Sequence, residues 1–138
     1  MKSVLLDAGP LVALFDDGDP FHGHFRAMLD DPLQPLRLHT TWPCVVEASH
    51  LLGDITRLSM LKWIGLGGAH VFPFDPLDLV DMTTWMLRYT ERPRTRMDLA
   101  DASLYWLARE TGVTAVMTLD VRDFSRYRLP DGRGFEIL

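Results

Sequence analysis

Short, continuous apolar runs alternate along the chain with longer segments whose apolar residues recur every three or four positions. Val4-Leu5-Leu6, Leu36 to His39, Val71 to Phe74, Val113 to Leu119 and Phe135 to Leu138 are the short runs and read as strands. Between them lie helical patterns. These are Leu11 to Phe15, Phe21 to Leu29, a segment opened by Thr41 and carrying Val45, Val46, Ala48, Leu51 and Leu52, and Asp54 to Leu66 through Ile55, Leu58, Leu61 and Ile64. Leu79, Met82, Trp85, Met86 and Tyr89 then mark another helix at core spacing. Leu99 to Thr111 is apolar on more than one face, which predicts a mostly buried helix.

Punctuation agrees with this division. Thr41 is a candidate N-cap with Pro43 in the first turn, and Asp75-Pro76-Leu77-Asp78 places Asp at N-cap, Pro at N1 and Asp at N3. Phe74 and Leu79 occupy staple positions, Gly112 is a C′ residue, and Gly65, Gly67 and Gly68 end a helix without forming a phosphate-binding motif. There are no repeats, linkers or low-complexity stretches, so residues 1–138 are expected to form a single domain. Strands alternating with helices predict an α/β class: a three-layer α/β/α domain around a central, mostly parallel sheet of four to five strands.

Composition narrows the setting. Hydrophobic residues make up 47% and charged residues 24%, ordinary for a folded soluble domain. A single cysteine, Cys44, excludes an internal disulfide and fits a reducing compartment, where it reads as a small buried hydrophobe. No run has the length of a membrane helix, and the apolar run that meets Asp7 is too short for a signal peptide. A cytoplasmic protein without membrane contact is expected. The formal net charge of −5 argues against a simple polyanion-binding surface. Setting aside Asp7, Glu47, Asp98, Asp101, Asp120 and Asp123, however, leaves 13 acids against 14 Lys and Arg. If those six shared a metal site, the remaining surface would not repel nucleic acid.

The acids stand at particular places. Asp7 and Asp120 follow apolar strands, Asp98 and Asp101 open the buried helix on one shared face, and Glu47 lies within the helix after the second strand. Four of them have a structural alternative: a helix cap for Asp7, a capping box for Asp98 with Asp101, and solvent or a pairing with His50 for Glu47. In a parallel sheet, strand ends and following helix starts gather on one edge. Carboxylates gathered there repel one another and imply a cation, and hard oxygen ligands suit Mg²⁺ or Mn²⁺. His22 and His24, two apart on a helix, point away from each other and do not read as a zinc pair. Arg88, Arg92, Arg94 and Arg96 precede the paired acids and are candidates for backbone phosphate contacts; Arg122, Arg126 and Arg128 form a second basic group.

The ordered set resembles the PIN-domain ribonucleases, and especially the VapC-type toxins of bacterial and archaeal toxin–antitoxin pairs. The likeness rests on Leu6-Asp7 with the Leu11 to Phe15 helix, Thr41 with Val45-Val46-Glu47-Ala48, Met97-Asp98-Leu99-Ala100-Asp101-Ala102-Ser103, and Met117-Thr118-Leu119-Asp120 with Asp123-Phe124. By that resemblance Asp7, Glu47, Asp101 and Asp120 match the catalytic, metal-binding acidic quartet, with Asp7 and Asp101 expected to bind metal directly. Asp123 matches a less constant acid, Thr118 a hydroxyl beside the site, and Asp98 a subgroup feature for which capping takes precedence. The function implied is Mg²⁺-dependent endoribonuclease activity with one or two ions. It further implies a homodimeric toxin neutralised by a cognate small antitoxin.

Two other readings compete. A catalytically inactive PIN-like module binding RNA or protein would lack one of the four main acids, and none is missing. A receiver or phosphohydrolase domain expects a second acid beside the first-strand Asp and a downstream Lys. Position 9 is Gly, and the only lysines are Lys2 and Lys62.

Overall fold

The protein is described from a computed structural model covering residues 1–91 and 94–138. Its strands are β1 (Lys2–Leu6), β2 (Leu36–Thr40), β3 (His70–Val71), β4 (Ala115–Met117) and β5 (Glu136–Ile137). They form one sheet in the order β3-β2-β1-β4-β5, with every pairing parallel. The expected α/β architecture is therefore present, at the upper end of the four to five strands expected and with no antiparallel member among these five.

The apolar run of β1 follows from its central position. A strand covered on both faces must be apolar at consecutive residues. Val4 and Leu6 point into one core with Leu11, Val12, Leu14, Phe25, Val45 and Met60, from α1 (Ala8–Phe15), α2 (His22–Asp30), α3 (Trp42–Leu51) and α4 (Asp54–Gly65). Leu5, between them, faces a second core with Met82 and Trp85 of α5 (Asp78–Arg88) and Leu104, Tyr105 and Leu107 of α6 (Leu99–Thr111). Period-two alternation thus assigns successive residues of one strand to the two helical layers.

Several local expectations are revised. The Val71 to Phe74 run yields only a two-residue strand, since Pro73 has no N–H to continue a ladder. The segment after Asp120 forms a helix, α7 (Val121–Arg126), whose six residues are too few to display a period in the sequence. α4 leaves Ile55, Leu58 and Leu61 exposed and buries Met60 instead. α5 begins at Asp78 with Leu77, not Asp75, at its N-cap; the Asp78 carboxylate still accepts the Asp75 N–H at 2.8 Å across the turn before the helix. Thr41 occupies the N-cap of α3, but its hydroxyl meets Ser103 Oγ at 2.6 Å and ties α3 to α6 instead of capping. His22 Nδ1 meets the Ala13 carbonyl oxygen at 2.6 Å, joining α2 to α1.

The chain order creates the site. From β1 the sheet grows one way through β2 and β3 and the other way through β4 and β5. Connections therefore diverge at the carboxyl ends of β1 and β4, where open α/β sheets form their crevice. Leu6 is in register with Met117, and the Asp7 N–H reaches the Met117 carbonyl at 3.0 Å.

Candidate active site

Asp7 begins α1 immediately past β1. Its backbone is extended, and its Oδ1 accepts the Ala8 N–H at 2.8 Å, so the expected capping role is real. Its Oδ2 accepts from the Thr118 hydroxyl at 2.8 Å. That hydroxyl oxygen in turn accepts the Asp120 N–H at 3.0 Å. Thr118 therefore couples the acid after β1 to the acid after β4. Asp120 is the N-cap residue of α7, but its side chain makes no capping hydrogen bond.

The third acid comes from α6. Asp98 caps this helix, accepting the Asp101 N–H on Oδ1 at 2.9 Å. Asp101 does not complete the capping box; its Oδ2 accepts instead from the Tyr127 hydroxyl at 2.7 Å. Its carboxylate lies in the cleft. One oxygen each from Asp7, Asp101 and Asp120 lie within 4.8 Å of one another. Asp7 and Asp101 are buried. With Ala8, Gly9, Glu47, Leu51, Asp98 and Leu119 they line a cleft of about 210 Å³.

Electrostatics follow from this crowding. Burial raises the Asp101 carboxyl to about 8, reinforced by the charges of Asp98, Asp7 and Asp120 and opposed by the Tyr127 hydrogen bond. Burial also raises Asp7 to about 6, against the hydrogen bonds from Thr118 and Ala8 and with the help of Asp120 and Glu47. Asp120 is raised by burial, then by Asp123 and Asp98, and Glu47 by burial, then by Asp98 and Asp120. Every shift has the sign of an acid that needs a nearby positive charge. Three convergent hard oxygens with raised affinity for a proton fit a divalent cation of the Mg²⁺ or Mn²⁺ type.

The remaining sequence candidates divide. Glu47 is exposed, as solvent preference suggests, but stands on the rim of the same cleft. Asp123 is turned to Arg126 at 3.3 Å, within α7. Arg96 borders a neighbouring groove that shares Glu47 and Asp98 with the cleft. Arg88 ends α5, and both it and Arg94 are exposed. Arg92 lies outside the described residues.

Two contributors carry no mark in the sequence pattern. Tyr127 is fully buried and stands 26 residues from its partner Asp101. Cys44 is a buried hydrophobe as expected, but its Sγ lies 3.9 Å from Asp7 Oδ1, in the wall behind the acids. Burial pushes its thiol well above the ordinary range, which keeps it protonated there.

Against this geometry, residues 4–129 match the family model described as the PIN domain. The chain belongs to the PIN-domain family. Its fold is similar to the crystal structure of Mycobacterium tuberculosis VapC20, a sarcin-ricin loop cleaving toxin, with a TM-score of 0.73. That alignment covers 87% of this PIN domain and 92% of the other chain at 18% sequence identity. Sequence comparison with curated proteins finds no match.

Proposed function

We propose that this PIN domain is a divalent-metal-dependent endoribonuclease that hydrolyses RNA phosphodiester bonds as a VapC-type toxin. The observation that carries the reading is the convergence of Asp7, Asp101 and Asp120, with oxygens within 4.8 Å of one another. Family membership and likeness to an RNA-cleaving toxin support the substrate class. In this reading Asp7, Asp101 and Asp120 hold one or two Mg²⁺ or Mn²⁺ ions. Such an ion supplies a nucleophilic water at neutral pH and offsets charge on the phosphate and leaving oxygens.

The protein's own residues do the rest. Thr118 holds Asp7 and the backbone of Asp120 in one arrangement. Glu47, on the rim and with its affinity for protons raised, orients the attacking water and accepts its proton. Asp98 caps α6 and so fixes the turn that carries Asp101. Arg96, beside Glu47 and Asp98, is best placed of the described arginines to contact the RNA backbone. No helix among the described residues is long and apolar enough to cross a membrane. We further assign the protein a homodimeric state and a small cognate antitoxin as its cytoplasmic partner. An inactive binding module has no support here, because all four expected acids border the cleft.

The test is RNA cleavage by the purified protein with Mg²⁺ or Mn²⁺. Asp101→Asn should lower the rate by about a hundredfold or more, the scale of removing a group that acts on transition-state charge. EDTA should abolish cleavage by the wild type. Undiminished cleavage by well-folded Asp101→Asn would refute the assignment.

A further inference from the structure

We propose that Tyr127 is a positioning residue for the metal centre, acting through Asp101. The inference rests on the metal-dependent reading above. Tyr127 ends α7, the helix that Asp120 begins, and its hydroxyl donates to Asp101 Oδ2 at 2.7 Å. It therefore joins two elements that each supply an acid to the cleft, one from α6 and one from the start of α7. Thr118 performs the corresponding service between Asp7 and Asp120. Together these two hydroxyls link all three acids into a single frame.

The phenol is itself immobilised. Its side chain is fully buried, and its ring packs edge-on against Phe124 and Tyr89, with centroids 5.1 and 5.0 Å away. A buried hydroxyl requires a partner, yet the surrounding cluster also offers a backbone carbonyl. Tyr89 and Tyr105 both use it, donating to the Arg128 carbonyl oxygen. Tyr127 alone of these three is aimed at an acid of the cleft. Holding Oδ2 fixes the rotation of the Asp101 carboxylate, and with it the direction in which its oxygens face a cation. Partners of metal-binding carboxylates typically govern affinity in this way.

The experiment is Mn²⁺ binding by calorimetry on the full chain, with thermal melting as a fold control. Tyr127→Phe keeps the ring and removes only the donor. It should weaken Mn²⁺ binding by about tenfold or more while the protein stays folded. Tyr89→Phe, in the same aromatic cluster, should bind Mn²⁺ like the wild type. In an Asp101→Asn background, adding Tyr127→Phe should change the residual affinity no further. Wild-type affinity in Tyr127→Phe would overturn the tyrosine inference and leave the metal reading standing. An equal loss in Tyr89→Phe would also overturn it, because the effect would then belong to packing. A wild-type protein that binds no Mn²⁺ would overturn both.

Discussion

Of the helices that open onto the cleft, α1 and α6 are each capped by an aspartate side chain. At α1 a single residue does two jobs: Asp7 caps the helix through Oδ1 and faces the other acids across the cleft. At α6 the jobs are divided: Asp98 caps, and Asp101, three residues on, enters the cluster. The division leaves Asp101 free of backbone duty, and its carboxyl is raised further than that of Asp7. Hydrogen bonds from Ala8 and Thr118 stabilise Asp7 as an anion, whereas Asp101 has Tyr127 alone against burial and three acidic neighbours. A carboxylate that also serves the fold is partly neutralised by it. One released from that service depends more on a cation.

The largest expected consequence is pH-dependent. In the unfolded chain the Asp101 carboxyl loses its proton near 3.8, whereas in the fold it keeps it to about 8. The folded state binds the extra proton in between. Its contribution to stability is thus complete below the unfolded value and is lost as pH rises toward 8. Melts of metal-free protein should therefore show a decline on the order of a few kcal/mol from this group. Asp101→Asn should flatten the part between about 6 and 8, and Mn²⁺ should restore wild-type stability at pH 8. A mutant profile that parallels the wild type would break the contrast between the two acids.

Replacing Asp7 tests its structural half. Asp7→Ala removes the cap and leaves the buried Thr118 hydroxyl short of an acceptor, which should cost about 1–3 kcal/mol in urea unfolding. Asp7→Asn keeps an acceptor oxygen and should recover most of that loss, while RNA cleavage remains abolished. Equal stability of the two variants would show that capping is not part of the role of Asp7.

The smallest effects belong to Asp98. Asp98→Ala should lower stability by about 1 kcal/mol through loss of the cap. Asp98→Asn, an equally good cap, should stay within a few tenths of a kcal/mol of wild type and retain most cleavage. Loss of cleavage in a stable Asp98→Asn protein would move this acid from support to chemistry, and would erase the division of labour at α6.

Much of this was legible before folding because it is local. Val4-Leu5-Leu6 is apolar at successive positions, and only a strand covered on both faces needs that. Asp98 before an apolar helix reads as a cap from its place alone, and so does Gly112, which takes the left-handed conformation at the helix end. Even the expectation that acids gather on one edge follows from strand polarity, before any distance is known.

Other features could not be read, since they depend on which residues meet. Glu47 lies in an apolar stretch, and its spacing does not say whether it faces water or acids; α3 sets it on the rim, where both descriptions hold. Ile55, Leu58 and Leu61 repeat at helical spacing, yet the sheet accepts Met60 of the same helix. Asp101 could have closed a capping box with Asp98, and only the approach of α7 supplied Tyr127 as the competing donor. Local pattern determined the elements and their caps, because backbone hydrogen bonding and side-chain periodicity act over a few residues. Convergence of Asp7, Asp101 and Asp120 was decided by the β3-β2-β1-β4-β5 strand order, because only tertiary packing brings residues 94 and 113 positions away from Asp7 to within 4.8 Å of it.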